Sequence, residues 1–161
     1  MTAIFELTTD IAAPIHTVYD LARDLDLHAQ SMAHTGERAI AGRTSGRIEV
    51  GEVVTWRARH FGLWWTLTSR ITVADRPTRF ADEQVSGPFA WFRHEHTFAT
   101  LADGRTRMLD RWEHRSPLGP IGAIVDRVVL GRYMRGLLET RNRALAEAAI
   151  AATGPDGVGR T

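Results

Sequence analysis

The sequence predicts a mixed α+β protein in which a curved, seven-stranded antiparallel sheet wraps around one long C-terminal helix. Residues 2–11 alternate apolar and polar side chains, which is the pattern of a half-buried strand. Two short helical segments follow, and six more alternating segments come after them, separated by turn residues. Residues 121–150 then carry apolar side chains at helical spacing, so a final helix can cover one face of the sheet.

Capping and turn residues delimit the two short helices. Pro14 is tolerated in the first turn of a helix, and the apolar Leu21 lies on the same predicted segment. Asp24 can accept hydrogen bonds from the free backbone N–H groups of a second helix, which is expected to run toward His34. Gly36 then ends this helix, because glycine adopts the backbone conformation that closes a helix at little cost.

The later strands and the domain limits follow from turn residues and chain length. Long strands curl because sheets twist, so a bent sheet that grips one helix leaves a hollow between them.

The chain has 161 residues, about the size of one domain, which we place at residues 1–150. Residues 151–161 are predicted to be a disordered tail. The later strands are residues 37–41, 51–60, 63–73, 80–86, 89–101 and 105–114.

Composition excludes several kinds of chemistry. The chain has no cysteine, so disulfides, thiol nucleophiles and thiolate metal sites are excluded. All 20 basic residues are arginine, and without lysine there is no Schiff base, no attached pyridoxal phosphate and no Walker A loop. The net charge is +1 with the arginines spread along the chain, so we expect no nucleic-acid partner.

The N-terminal segment and the hydropathy pattern predict where the protein resides. The first residues lack the basic and apolar regions of a secretory signal. No apolar run approaches the ~20 residues that span a bilayer. We therefore expect a cytoplasmic protein without a membrane span, present as a monomer or a homodimer.

The hairpin predicted from residues 89–115 is the most informative segment. Successive side chains of a strand point to opposite faces, so alternate residues of each arm share one face. The register around the Ala-Asp-Gly turn places His96 opposite Asp110 and His94 opposite Trp112. Imidazole and carboxyl groups therefore lie on the same face as large apolar side chains.

Extending this alternation to the other strands predicts a wall that faces the helix. A buried polar group without a partner costs roughly 2 to 7 kcal/mol, whereas a whole domain is stable by only about 5 to 15 kcal/mol. The polar members must therefore bond one another, cavity water or a ligand, which favours a lined cavity over a solid core. The apolar members are Trp56, Trp65, Leu67, Phe80, Phe92, Phe98, Met108 and Trp112, and the polar members are His60, Asp82, Gln84, His94, His96, Asp110 and His114.

The His96–Asp110 pair has three open interpretations. It can be a structural pair that fixes the hairpin, or a pair that meets a polar ligand group or shuttles a proton. It can also contribute to a metal site together with His94, but the spacing shows no fourth ligand. We therefore expect no metal and no cofactor, and we expect the carboxylate to raise the imidazole pKa. The histidines of the short helices are expected at the surface or at helix ends: His16, His28 and His34.

The order of the predicted elements, together with segments 80–84, 87–89 and 94–98, resembles the helix-grip fold of the START-like (SRPBCC) superfamily. The resemblance is in particular to the bacterial polyketide cyclase/dehydrase and lipid-transport group. The resemblance covers nearly the whole chain and implies a deep apolar pocket under the C-terminal helix for lipids, sterols, polyketides or isoprenoids. No catalytic motif is common to such proteins, so the resemblance transfers no catalytic residue. Its clearest local matches are residues 80–84, 87–89, Trp91, residues 94–98, Asp110 and residues 117–119.

Two functions are compatible with this pattern. The leading hypothesis is a non-catalytic carrier or sensor of a small hydrophobic molecule. The second is a cofactor-independent cyclase, dehydratase or hydrolase, in which His96 and Asp110 act as a general acid/base pair assisted by His94 or His60. The predicted ligand-binding residues are Trp56, His60, Trp65, Leu67, Phe80, Asp82, Gln84, Phe92, Phe98, Met108 and Trp112.

Overall fold

The computed structural model describes residues 2–116 and 129–154 and confirms the predicted architecture. Seven strands form one antiparallel sheet: β1 (Ala3–Ile11), β2 (Arg38–Gly42), β3 (Val53–His60), β4 (Leu63–Asp75), β5 (Arg79–Ser86), β6 (Trp91–Thr100) and β7 (Thr106–Arg115). The helices are α1 (Ile15–Ala22), α2 (Leu25–Ser31) and the long α3 (Gly131–Thr153), and a 3₁₀ turn spans Ala33–Thr35.

The short helices form where the capping residues predicted them. Pro14 precedes α1, and the Asp24 side chain accepts hydrogen bonds from the backbone N–H groups of Asp26 and Leu27 at 2.9 and 3.0 Å. These two donors have no partner inside the helix, so the carboxylate satisfies them and fixes the start of α2. The prediction that α2 runs toward His34 and ends at Gly36 is wrong, because α2 ends at Ser31; Gly36, with φ of 66°, closes the separate 3₁₀ turn in the left-handed region.

Strand pairing confirms the predicted hairpin register. The strand order is β1-β7-β6-β5-β4-β3-β2, and all the pairs are antiparallel. His96 pairs with Asp110 and His94 pairs with Trp112, as the turn predicted. Every second residue of β6 and β7 is buried, so the polar members of these strands face the interior.

The C-terminal helix differs from its prediction at its end. The apolar pattern of residues 121–128 lies outside the described residues. In the described part, α3 runs to Thr153, so residues 151–153 belong to the helix and not to the predicted tail. Among the described residues, no helix combines the length and apolar character needed to cross a membrane.

The interior has a solid part and a hollow part. In the solid core, α1 and the C-terminal half of α3 pack against β6 and β7. They contact these strands at the ends next to the β6–β7 turn. The other end of the sheet faces the N-terminal half of α3 across a cavity. The solid core consists of Ile11, Ala13, Val18, Tyr19, Ala22, Phe80, Phe98, Met108, Leu145 and Ala149.

An ion-pair cluster around Asp20 fastens α1 to the sheet. The Asp20 carboxylate accepts hydrogen bonds from Arg76 at 2.7 and 3.0 Å and from Arg47 at 3.1 Å, and Arg23 lies 3.6 Å away. Burial opposes the charge on Asp20, but Arg76, Arg47 and Arg23 together lower the pKa of the carboxyl below its ordinary value of 3.8. The carboxylate therefore stabilises the folded state while it is ionised.

Replacing Asp20 by asparagine is expected to lower the free energy of unfolding at pH 7 by about 1 to 2 kcal/mol, since two of the arginines are solvent-exposed. The folded-state pKa is depressed, so the stabilisation is complete above the unfolded pKa and is lost as the pH falls below about 4. Urea denaturation at pH 7 and pH 3 tests this. If the wild type and Asp20→Asn differ in unfolding free energy by the same amount at pH 7 and at pH 3, this expectation is wrong.

Candidate functional site

A cavity in two adjacent chambers lies between the sheet and the N-terminal half of α3. The outer chamber has a volume of about 320 Å³ and mostly apolar walls. The inner chamber has a volume of about 150 Å³ and is lined by more polar side chains. Six residues border both chambers: Glu37, Trp56, His60, Leu67, Trp112 and Met134.

Most of the predicted ligand-binding residues border this cavity. Trp56, His60, Trp65, Leu67, Phe80, Asp82, Phe92 and Trp112 line one or both chambers. The structure places the other three elsewhere. Phe98 and Met108 pack in the solid core, and Gln84 hydrogen-bonds the backbone carbonyl and N–H of Phe89 at 2.7 and 3.3 Å. Alternation on a strand identifies the buried face, but it does not show where along that face the helix stands away from the sheet.

A polar layer of His94, His96, Asp110 and Asn142 separates the hollow part from the solid core. His94 Nε2 donates to Oδ1 of Asp110 at 3.1 Å, and Asn142 Nδ2 on α3 donates to Oδ2. His96 Nδ1 lies 2.6 Å from the same Oδ1 but outside hydrogen-bonding alignment. Both histidines are only 2% exposed and Asp110 is 1% exposed. The layer therefore joins two strands to α3 through one buried carboxylate.

The protonation of this layer differs from the sequence-based prediction. Burial, followed by repulsion from His94, lowers the pKa of His96 to about 3. Asp110 acts in the predicted direction and raises this pKa, but burial and His94 outweigh it. Burial disfavours the charge on Asp110, but contacts with His96 and His94 hold the pKa of this carboxyl well below its usual range. Asp110 is therefore ionised at pH 7, and its carboxylate accepts hydrogen bonds from His94 and Asn142.

Two further predicted histidines have partners at the cavity wall. His60 Nδ1 lies 2.8 Å from the hydroxyl of Tyr133 on α3, and burial lowers the pKa of His60. His114 is fully buried and accepts a hydrogen bond from the indole N–H of Trp112 at 3.1 Å. Both contacts orient aromatic side chains around the outer chamber.

His28 lies in the last turn of α2, near a helix end as predicted, but its side chain lines the cavity, and its neighbours there were not predicted. His28 is 18% exposed and lines the inner chamber, where it stacks on Trp56 with ring centroids 4.2 Å apart. His28 Nε2 lies 2.9 Å from the Glu37 carboxylate. The spacing of Leu25, His28 and Met32 puts His28 on the apolar face of α2, so the period of 3.6 residues was the feature that could have located it.

Arg141 brings a positive charge from α3 into the inner chamber. Its side chain lines the chamber, and its Nη2 donates to the backbone carbonyl of Ala22 at 3.3 Å. None of the carboxylates of the described residues forms an ion pair with it. A guanidinium in this position can donate further hydrogen bonds to a ligand oxygen.

The turn between β3 and β4 forms part of the outer chamber. His60 pairs with Leu63, so Phe61 and Gly62 form a two-residue turn in which both have positive φ, 52° and 79°. A two-residue hairpin turn of type I′ requires positive φ at both residues, and this conformation is costly for phenylalanine. The Phe61 ring contacts Tyr133, with centroids 4.5 Å apart, and borders the chamber. A strained residue here therefore contributes to the cavity wall.

Comparison with known proteins identifies the family. Residues 2–149 match the family model described as polyketide cyclase / dehydrase and lipid transport. The match covers most of the chain, so the protein belongs to this family. A search of curated proteins finds no match.

Solved structures show that the fold is the helix-grip fold. An aromatase/cyclase, ZhuI, from Streptomyces sp. R1128 superposes with a TM-score of 0.77 at 18% identity, covering 98% of this chain and 99% of that one. A protein from Thermus thermophilus gives 0.76 at 19% identity, covering 94% and 100%. A START superfamily protein from Mycobacterium smegmatis gives 0.69 at 15%, covering 93% and 99%.

Proposed function

We propose that this protein binds a small hydrophobic molecule, of the lipid, isoprenoid or polyketide-like class, in the cavity between the sheet and α3. The main support for this proposal is the outer chamber, because its volume of about 320 Å³ lies within the usual range of small-molecule sites. A ligand that buried ~200 Å² of apolar surface there would gain about 5 kcal/mol from the hydrophobic effect. The family description and the aromatase/cyclase neighbour support the same ligand class.

The inner chamber is suited to the polar end of such a ligand. Arg141 and His28 can donate or accept hydrogen bonds there, and Glu37 and Asp82 can accept them. An amphipathic molecule would place its apolar body in the outer chamber and its oxygen atoms in the inner one.

We further propose that the chain forms one ligand-binding domain and that the protein works in the cytoplasm as a monomer or a homodimer.

The alternative is a cofactor-independent cyclase or dehydratase that uses His96 and Asp110. Of the three predicted catalytic residues, His94 lines the inner chamber, whereas His96 and Asp110 line neither chamber. A general acid or base must come within hydrogen-bonding distance of the proton that it transfers. This separation favours the binding role over the catalytic one.

The binding proposal is tested by filling the outer chamber. Ala58 is buried on β3 and its side chain borders that chamber, so phenylalanine at this position would occupy ligand space. We expect Ala58→Phe to weaken binding of the fluorescent probe 1-anilinonaphthalene-8-sulfonate at least about tenfold, or ~1.4 kcal/mol. Quenching of the cavity tryptophans provides a second readout of the same titration.

The matched control is Thr66→Phe, which adds the same ring at an exposed position of β4. It is expected to bind the probe as the wild type does, and thermal melting should show that both variants are folded. Equal probe affinity in Ala58→Phe and Thr66→Phe would contradict binding in the outer chamber.

A further inference from the structure

Asp82, His94 and His96 bring three potential metal-ligating atoms together beside the inner chamber, which Asp82 and His94 line and His96 does not. One such atom from each residue lies within 4.8 Å of those of the other two. Asp82 on β5 pairs directly with His94 on β6, and His96 is the next inward residue along β6. Strand pairing therefore holds the group in place, without depending on a loop.

Two members of this group have unused polar atoms. Neither nitrogen of His96 forms a hydrogen bond with a described residue, although the side chain is only 2% exposed. The Asp82 carboxylate is half-buried and has no hydrogen bond or ion pair within residues 2–116 and 129–154. A buried imidazole without a hydrogen-bond partner costs free energy, and a bound cation would remove this cost for His96 and would balance the negative charge of Asp82.

The surroundings resemble the outer shell of a metal site. Asp110 Oδ1 faces Nε2 of His94 and Nδ1 of His96, at 3.1 and 2.6 Å, and Asn142 holds the other oxygen of the carboxylate. Metal-binding histidines commonly direct one ring nitrogen at a carboxylate, which orients the ring while the other nitrogen binds the ion. Phe80 stacks on the His96 ring with centroids 4.2 Å apart and fixes its plane.

We propose that Asp82, His94 and His96 form a binding site for one divalent transition-metal ion at the wall of the inner chamber. Two imidazoles and one carboxylate are ligands that suit Zn²⁺ and other first-row ions better than Mg²⁺ or Ca²⁺. Asp82 and His94 line the chamber, so the remaining coordination positions would face it and could take water or a ligand oxygen.

This site differs from the one considered from the sequence. In the site considered from the sequence, Asp110 was the third ligand, and the lack of a fourth protein ligand argued against a bound metal. The structure makes Asp110 an orienting residue and brings Asp82 to the two histidines. A site with three protein ligands and an open position needs no fourth protein ligand.

The test is metal titration of the full-length protein after removal of metals with a chelator. Isothermal titration with Zn²⁺ should show one ion per chain, and Co²⁺ should give the visible absorption of a protein-bound ion. We expect Asp82→Asn to weaken Zn²⁺ binding more than ~100-fold, since loss of an outer-shell partner alone costs about 10- to 100-fold. Asp82 has no hydrogen bond to lose, so this variant should fold, which thermal melting checks.

The control is His34→Asn, which removes an exposed histidine outside the cavity and should leave Zn²⁺ binding unchanged. Absence of stoichiometric Zn²⁺ binding would overturn the proposal. Wild-type affinity in Asp82→Asn, or loss of binding in His34→Asn, would also overturn it. The inference does not depend on the hydrophobic ligand, because binding of the fluorescent probe is measured without added metal.

Discussion

Replacing Asp110 by alanine is expected to lower the free energy of unfolding by about 3 to 5 kcal/mol. The carboxylate is 1% exposed and accepts hydrogen bonds from His94 on β6 and Asn142 on α3. Its removal would leave an imidazole N–H and an amide N–H buried without an acceptor, and it would open a small cavity in the polar layer. Urea denaturation at pH 7, followed by circular dichroism, measures the loss.

The matched control is Asp103→Ala, which removes a carboxylate from the exposed β6–β7 turn. A far smaller loss of stability is expected there, because that group stays in contact with water. A similar loss in the two variants would show that Asp110 does not hold α3 to the sheet. The expected size of the Asp110 effect is also a large part of the stability of an ordinary domain, so Asp110→Ala should unfold at a clearly lower temperature.

The second large effect is expected at Tyr19, where alanine should cost about 3 to 5 kcal/mol of unfolding free energy. Tyr19 on α1 is fully buried at the centre of the solid core. Its ring meets Phe80 and Phe98 edge-on, with centroids 5.8 and 5.5 Å apart, and the Arg23 guanidinium lies 4.8 Å from its centre. Truncation would separate α1 from β5 and β6. Urea denaturation again provides the measurement.

Tyr19→Phe separates the ring from its hydroxyl group. No described residue forms a hydrogen bond with the Tyr19 hydroxyl, so its removal should leave stability unchanged or raise it by up to about 1 kcal/mol. A loss in Tyr19→Phe as large as that in Tyr19→Ala would show that the hydroxyl, and not ring packing, stabilises this core.

Local patterns were sufficient to predict the fold and the hairpin register. Alternation fixes which residues of β6 and β7 face inward, and the short turn between them fixes that His96 pairs with Asp110. The cap at Asp24 is equally local, because a side chain and the N–H groups it satisfies lie within three residues. Interactions of this kind depend on neighbours in sequence, so the residues themselves specify them.

The site could be predicted only in part. Trp56, Phe92 and Trp112 line the cavity as expected, but Phe98 and Met108, on the same inward face, fill the solid core. The difference arises from where α3 lies against the sheet. His28 was missed because its neighbours Trp56 and Glu37 come from separate strands and loops, and the low pKa of His96 arises from burial that the strand pattern alone does not measure.

The sequence by itself determined the elements, their order, the inward faces and the cross-strand pairing of His96 with Asp110. Only the tertiary structure decided which inward residues border a hollow, that Asn142 and Arg141 reach the sheet side of α3, and that Asp82 joins His94 and His96. The physical reason is the separation along the chain of the residues that take part in each interaction. Backbone geometry sets periodicity and register over a few residues, whereas cavities, desolvation and clusters of ligating atoms depend on the distance between elements far apart in the chain.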